Sequence, residues 1–306
     1  MELFENQEEF LQIINLTSEY CGMDAALIEK DYFVTLFLKK AKEAIPGLVF
    51  KGGTSLSKCY KIIDRFSEDL DLTLDAEHFT QSQKRNSVKM LAEICSELGL
   101  TLVNRQQIEE YTHGNYNCYV IEYPIIFASE NITPGLKVEM TYIQKSYPYE
   151  TVKASSYIAD YLLHNGNADI IEEYGLLPFD MKVQSLERTL IDKVFAICDY
   201  YLSNSTLRTS RHIYDISRLL TRVNLSGPDI KELAISVRND RKRNKICLSA
   251  QDGVDVPELL RKIVVEGTFK KDYEGVTYKL LTKPVSYDES IRGIEKVIET
   301  GIFTSL

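Results

Sequence analysis

The sequence lacks any apolar run that approaches the roughly twenty residues a membrane-spanning helix requires. It has six cysteines but no CxxC pair, so the cysteines indicate neither a zinc site nor a disulfide framework. The N-terminus is acidic, which is unlike a secretory or organellar signal. Together these absences predict a reduced, cytoplasmic protein that has no membrane partner.

Acidic residues outnumber basic ones, 45 to 36, and the basic ones are concentrated in one part of the chain. The 306 residues carry a net charge of −9, yet residues 182–245 contain 13 Lys and Arg against 7 Asp and Glu. That segment therefore carries +6 and the remainder −15. Two interpretations of the segment and of its densest basic run, at 238–245, stay open. They are a surface that meets a phosphate-rich partner such as RNA, or ordinary solvated helix faces.

Hydrophobic periodicity divides the chain into a mixed part and a mainly helical part. In the first part it predicts helices at 5–19, 24–44, 54–64 and 81–98, and strands at 48–50, 69–74, 101–104, 116–127 and 136–143. In the second part it predicts helices at 185–203, 208–222, 228–239 and 256–264. The sequence therefore predicts an α+β fold with a catalytic core at 1–160 and a mainly helical domain at 161–306.

A Gly-Gly turn follows the short apolar strand at 48–50. Gly52 and Gly53 let the backbone approach a ligand closely, and the N–H groups at the start of the next helix attract an anion. Thr54 and Ser55 add hydroxyl donors. The turn is therefore a candidate cradle for a triphosphate, although a tight strand-to-helix connection has the same pattern.

Carboxylates follow the turn at alternate positions of a strand. Asp69 and Asp71 share one face and lie about 6.5–7 Å apart at Cα, so their oxygens can converge on Mg²⁺. Glu139 lies on the polar side of another predicted strand and offers a third carboxylate. The alternative interpretation of these carboxylates is that they form the solvent-exposed face of an edge strand. Beside a phosphate cradle, however, three such acids are typical of nucleotidyl transfer.

Five motifs in one order resemble the AbiEii/AbiGii family of bacterial nucleotidyltransferase toxins. They are EKDY at 29–32, FKGGTSL at 50–56, RFSEDLD at 65–71, LERTLIDK at 186–193 and RHIYD at 211–215. The resemblance implies a polymerase-β-like nucleotidyltransferase core, with a mixed sheet flanked by helices, before a helical C-terminal half. It also implies a toxin of a toxin–antitoxin or abortive-infection system, with a cognate antitoxin, that uses a nucleoside triphosphate and Mg²⁺. Related members modify the 3′ acceptor end of tRNA and so block aminoacylation.

The resemblance assigns roles in the first half of the chain residue by residue. Ser67 and Asp69 match the Ser-x-Asp of the family's second motif, and Asp69 and Asp71 match its metal ligands. Glu139 is a looser match as the third ligand. Lys58 stands near the turn where the family has an Arg, so it keeps the charge for a phosphate but loses bidentate geometry.

In the second half, Lys193 and Asp215 match the family's essential Lys and Asp. Lys193 flanks the apolar stripe of its helix and could reach a triphosphate, or it could be an ordinary snorkelling lysine. Asp215 could orient Lys193, contact the nucleotide or act as a general base. Its alternative is a surface salt bridge to Arg211 or Arg218 at helical spacing.

The acceptor is not fixed by these residues. An RNA, most simply tRNA, is the acceptor that the resemblance implies. A protein side chain or a small molecule such as an aminoglycoside is a second possibility, which the acidic net charge favours for a cationic acceptor. A third interpretation is a catalytically inactive, nucleotide-binding regulatory module.

Overall fold

A computed structural model of the chain describes residues 1–67, 69–75, 77–78, 80–110, 116–130, 132–142 and 146–304. Contacts divide the chain into two compact units. The first comprises Met1–Tyr60, Glu68–Tyr142 and Tyr149–Val183, and the second comprises Lys61–Ser67, Ile143–Pro148 and Gln184–Leu306. The continuous part of the second unit thus begins at Gln184 rather than at the expected 161, because the strands at 149–154 and 179–184 join the sheet.

The first unit is built from seven α-helices and a sheet within its described residues. The helices are α1 Gln7–Cys21, α2 Ala25–Ala44, α3 Gly52–Lys58, α4 Gln81–Glu97, α5 Arg105–Glu110, α6 Tyr157–His164 and α7 Ala168–Glu173. The strands are β1 Leu48–Lys51, β2 Asp69–Leu74, β3 Thr101–Leu102, β4 Tyr116–Glu122, β5 Leu136–Thr141, β6 Tyr149–Ala154 and β7 Phe179–Gln184. The final residue of β7 belongs to the second unit.

The described strands form a seven-stranded mixed sheet in the order β3-β4-β5-β2-β1-β7-β6. β2 is antiparallel to β1 and parallel to β5. Alternation along β2 buries Leu70, Leu72 and Leu74 completely, while Asp69 and Asp71 on the other face stay partly exposed. The sheet and its flanking helices confirm the predicted α+β fold.

Local sequence and backbone conformation set the start of α2 and the end of α3. Asp24 caps α2 as predicted, because its side chain accepts a hydrogen bond from the Ala26 N–H. By contrast, α3 ends at Lys58 and does not reach the predicted residue 64. Lys61 adopts a left-handed φ of 53°, through which an α-helix cannot continue.

The second unit is mainly helical, as predicted. Its helices are α8 Leu186–Leu202, α9 Arg211–Leu219, α10 Pro228–Lys242, α11 Val256–Glu266, α12 Lys270–Gly275 and α13 Tyr287–Thr300. α9 packs between α8 and α13 and buries Ile213, Tyr214 and Ile216. In the parts of the chain that the structure describes, no helix is both long and apolar enough to cross a membrane.

Candidate functional site

The Gly-Gly turn and the second carboxylate of β2 lie against each other. Gly52 begins α3 with a left-handed φ of 76°, and a Cβ placed on it would stand 1.9 Å from Asp71 Oδ2. The pairing of Lys51 with Asp71 across β1 and β2 fixes this approach. Only glycine can therefore occupy position 52 while the Asp71 carboxylate keeps its place.

The register between β2 and β5 brings the predicted carboxylates to one face of the sheet. Asp69 pairs with Lys137, and Asp71 pairs with Glu139. The side chains of Asp69 and Glu139 are 30% and 20% exposed, so both are open to a ligand. The structure therefore places Asp69, Asp71 and Glu139 on adjacent strands beside the glycine turn.

Lys137 is a cation that Asp69 and Glu139 share. Its ammonium group hydrogen-bonds Glu139 and lies 4.0 Å from Asp69 Oδ1. Burial opposes the charge, but the Glu139 hydrogen bond and the Asp69 charge together raise the pKa of Lys137. Among the described residues, no three Asp, Glu, His or Cys side chains converge closely enough to hold a metal ion. The three carboxylates thus share a face, and an ammonium group bridges two of them, Asp69 and Glu139.

A tyrosine that the sequence analysis missed borders Glu139 on the next strand. Cys118 of β4 pairs with Glu139, and Tyr116 lies two positions earlier on the same face. Burial, followed by the charge of Glu139, raises the pKa of Tyr116. The phenol therefore stays protonated and can donate to the carboxylate. The alternation of polar and apolar residues at 116–122 is visible in the sequence and indicates a strand. The pairing of that strand, β4, with β5 is not visible there.

The hydroxyls of the turn are used within the protein. Thr54 Oγ1 donates to the Asp69 carbonyl at 2.6 Å, and Ser55 Oγ donates to the Gly52 carbonyl at 2.9 Å. Both side chains are buried. Their predicted role as phosphate donors is therefore corrected to a structural one. Thr54 ties the start of α3 to the strand that carries Asp69.

Lys58 is also a structural residue rather than a phosphate contact. Its ammonium donates to Asp31 Oδ1 at 2.5 Å, Thr35 Oγ1 at 2.7 Å and the Ser155 carbonyl at 3.2 Å. An ammonium group has three donors, and all three are used here. The side chain is 2% exposed, so it cannot reach a phosphate without breaking the attachment of α3 to α2.

Within the second unit, Lys193 and Asp215 are in contact. Lys193 Nζ lies 2.6 Å from Asp215 Oδ2, and Arg65 binds both oxygens of the same carboxylate at 2.7 and 2.8 Å. Asp215 is completely buried, which excludes the surface salt bridge to Arg211 or Arg218. Lys193 is 6% exposed, which excludes a snorkelling side chain. Ser67, also in this unit, is partly exposed.

The protonation of this cluster follows from its charges. Burial alone would raise the pKa of Asp215, but Arg65 and Lys193 overcome burial and hold that pKa well below its usual range. Burial lowers the pKa of Lys193, and Asp215 offsets this only in part. Burial and the nearby Lys193 also lower the pKa of His212. The result is an ionised Asp215 beside a neutral His212 at neutral pH.

The basic run at 238–245 supports the fold of the second unit. Arg238 donates to three backbone carbonyls between residues 250 and 254. Arg241 binds Asp192 and Asp199, with the nearest distance 2.7 Å, and is 9% exposed. Of the two interpretations, neither a free RNA surface nor a solvated face fits these two arginines. Arg238 holds the segment that follows α10, and Arg241 connects α10 to α8.

The chain resembles known proteins both in sequence and in fold. The sequence profile described as "Nucleotidyl transferase AbiEii toxin, Type IV TA system" matches residues 37–293. The structure is similar to MenT4, a nucleotidyltransferase toxin from Mycobacterium tuberculosis, with a TM-score of 0.63 and 17% sequence identity. The match covers 96% of this chain and 90% of MenT4, and at this identity it shows a shared fold. No curated protein sequence matches the chain.

Proposed function

The chain belongs to the AbiEii family of nucleotidyl transferase toxins of type IV toxin–antitoxin systems, and we propose that it transfers a nucleotide from a nucleoside triphosphate to the 3′ acceptor end of tRNA. The observation that carries this proposal is the contact of Asp71 with the Gly52 turn, beside Asp69 and Glu139. A tRNA acceptor places the reaction in the cytoplasm. The cognate antitoxin is the partner that a toxin of this family implies.

We propose Mg²⁺ as the metal, held by Asp69, Asp71 and Glu139. Carboxylate oxygens are the ligands that Mg²⁺ prefers, and the Lys137 ammonium already bridges Asp69 and Glu139 as a stand-in cation. A side chain at position 52 would fill the space that the Asp71 carboxylate uses. The donor chemistry fits a divalent cation, but the three carboxylates would have to move together to hold one. When bound, Mg²⁺ neutralises charge on the phosphates of the nucleotide.

The glycine turn supplies the nucleotide-binding part of the proposal. The backbone N–H groups of Gly52 and Gly53 are the donors that we assign to the phosphates, since the hydroxyls of Thr54 and Ser55 are already used. Thr54 keeps these donors at a fixed place relative to Asp69. This rigidity orders the site before substrate binds, which favours transfer.

For the second unit we propose that Lys193 and Asp215 are required for transfer. Asp215 counteracts the loss of charge that burial imposes on Lys193, and Arg65 holds the Asp215 carboxylate in place. Ser67 and Lys193 are the nucleotide-binding residues that we propose here.

Label transfer tests the proposal. The full chain is incubated with Mg²⁺, total tRNA and each of the four nucleoside triphosphates labelled at the α-phosphate. We expect labelled tRNA with at least one nucleotide, and we expect Asp69→Asn to lower transfer by about 100-fold or more. The matched control Asp180→Asn removes an exposed carboxylate of the same sheet and should transfer normally.

The same experiment separates the alternative acceptors. Label in added protein or in an aminoglycoside, with none in tRNA, would replace the acceptor but keep the transferase. Nucleotide binding with no transfer to any acceptor would indicate an inactive regulatory module. Growth on expression adds a second readout: we expect arrest with the native chain and normal growth with Asp69→Ala.

A further inference from the structure

One face of the sheet is open to solvent along β4. Alternation places every second side chain of this strand in the core, and the side chains in between are partly or fully exposed. The residues on the open face are Tyr116, Cys118, Val120 and Glu122. Tyr116 is 45% exposed and Val120 is 40% exposed. An open sheet face that carries an exposed aromatic ring is a known platform for single-stranded nucleic acid.

Tyr116 and the glycine turn lie on opposite sides of the carboxylates. The strand order β4-β5-β2-β1 separates β4 from the turn, which follows β1. Asp71 of β2 pairs with Glu139 of β5, and Glu139 pairs with Cys118 of β4. Tyr116 lies two positions before Cys118 on the same face. Across the sheet, the carboxylates therefore lie between the turn and the exposed tyrosine.

The hydroxyl of Tyr116 is the sheltered end of this side chain. It interacts with Glu139 and Cys118, and burial is the main cause that raises the pKa of the phenol. The exposed surface of the residue therefore belongs mainly to the ring. The strand backbone at one end and the hydroxyl contacts at the other hold that ring in one orientation. A ring that is already held loses little conformational freedom when a partner binds to it.

The charges on the open face are compatible with a nucleic acid. Two lysines share this face with the carboxylates: Lys51, which pairs with Asp71, and Lys137, which pairs with Asp69. β4 itself carries one charge, at Glu122 in its last position. Stacking uses the uncharged face of a base, so it does not require a phosphate to approach the carboxylates.

We propose that Tyr116 stacks on the base of the terminal, unpaired nucleotide of the acceptor. This inference rests on the proposed function, which assigns the glycine turn to the phosphates of the donor and transfer to the carboxylates. The acceptor must then approach from the other side of the carboxylates, where β4 lies. A ring can stack on any base, so Tyr116 binds the acceptor without selecting its sequence. The acceptor is accordingly a nucleic acid with a single-stranded end.

Steady-state transfer with the full chain separates the two substrates. Tyr116→Leu removes the ring but keeps an apolar side chain. We expect it to raise KM for tRNA about five- to hundredfold, the range of base–aromatic stacking, and to leave KM for the nucleoside triphosphate within about twofold. Tyr116→Phe keeps the ring and loses only the hydroxyl contacts, so its effect should be smaller. The matched control is Tyr20→Leu, at a 51% exposed tyrosine of α1, which should change neither KM.

Fluorescence provides a second measurement that does not require turnover. The chain has no tryptophan, so Tyr116→Trp introduces a single indole on the open face. A base that stacks on this indole quenches its fluorescence. The probe is a single-stranded RNA oligonucleotide with the sequence of the tRNA acceptor end, added without nucleoside triphosphate. We expect saturable quenching of Tyr116→Trp and no quenching of Tyr20→Trp. This measurement decides the inference if Tyr116→Leu does not fold.

The outcomes separate the inference from the proposed function. If the native chain labels tRNA and Tyr116→Leu keeps the native KM for tRNA, stacking is overturned and the transferase stands. A rise in KM for the nucleoside triphosphate alone would place Tyr116 on the donor side and overturn the assignment. Absence of quenching by the RNA would also overturn it. Saturable quenching without transfer to tRNA by the native chain would support stacking and count against the proposed function.

Discussion

Asp71 Oδ2 occupies the space that a Cβ on Gly52 would need, with only 1.9 Å between the two positions. The glycine is therefore required twice, once for its φ of 76° and once for the approach of the carboxylate. This relationship links the turn assigned to the phosphates with the strand assigned to the metal. It also gives the account a sharp test, because the two requirements can be separated by substitution.

Gly52→Ala should impair activity more than backbone strain alone explains. Gly99 has a similar φ of 64° but no atom within 4 Å of an added Cβ, so Gly99→Ala imposes strain without a clash. We expect Gly99→Ala to cost about 1–2 kcal/mol in the free energy of unfolding and to leave transfer per folded molecule unchanged. Gly52→Ala should cost more and should lower transfer by about 100-fold, because Asp71 must move. Equal activity of the two variants would contradict the arrangement.

Lys58→Met should lower stability and leave nucleotide affinity alone. The substitution leaves Asp31 without its ammonium partner and detaches α3 from α2, so we expect a loss of about 3 kcal/mol in the free energy of unfolding. Denaturant unfolding and KM for the nucleoside triphosphate are the two measurements. A stable variant whose KM rises about tenfold would restore Lys58 as a phosphate contact.

Asp215→Asn should destabilise the second unit by about 3–5 kcal/mol at neutral pH. The change leaves Arg65 and Lys193 as buried cations without a full counter-charge. Denaturant unfolding at pH 7 measures the loss. A variant with native stability would mean that the ion pairs of Asp215 with Arg65 and Lys193 contribute nothing to the stability of the fold.

The same carboxylate predicts the acid sensitivity of the protein. The pKa of Asp215 is lowered in the folded state. The ionised carboxylate therefore makes its full contribution to the free energy of unfolding above the ordinary carboxyl pKa of 3.8, and this contribution is lost as the pH falls below that value. Between pH 6 and pH 3 the native chain should therefore lose more stability than Asp215→Asn does. Parallel stability curves for the two proteins would contradict the lowered pKa.

Alanine substitution should lower the free energy of unfolding at Arg241 but not at Lys245. Arg241→Ala leaves Asp192 and Asp199 without their shared partner, and we expect a loss of about 3 kcal/mol in the free energy of unfolding. Lys245 is exposed, so Lys245→Ala should stay within about 0.5 kcal/mol. Binding of tRNA, measured with both folded variants, should be unchanged. A several-fold loss with Lys245→Ala would return the basic run to the RNA-binding surface.

Features that depend on local periodicity were predictable from the sequence. The strand at 69–74 and the common face of Asp69 and Asp71 follow from strict alternation, and the cap of α2 follows from Asp24. The glycine pair likewise indicated that another group comes close to the backbone, and the structure shows the Asp71 carboxylate there. These signals lie within short segments, so tertiary packing did not change them.

Features that depend on distant partners were not predictable. Arg65 binds Asp215 across 150 positions of sequence, and no spacing rule connects the two. Lys58 donates to Asp31 and Thr35 of α2, far away in the sequence, which reverses the role expected from its place near the turn. The strands β6 and β7 and the helix α13 were also missed. β7 is stabilised by parallel pairing with β1, from far along the chain.

The central claim is that a divalent cation binds between the carboxylates beside the glycine turn. Anomalous diffraction from crystals grown with Mn²⁺ and a non-hydrolysable nucleoside triphosphate tests it most directly. The account predicts an anomalous peak bound by Asp69 and Asp71, with phosphate oxygens on the backbone N–H groups of Gly52 and Gly53. A nucleotide bound elsewhere, or a peak that neither aspartate touches, would contradict it.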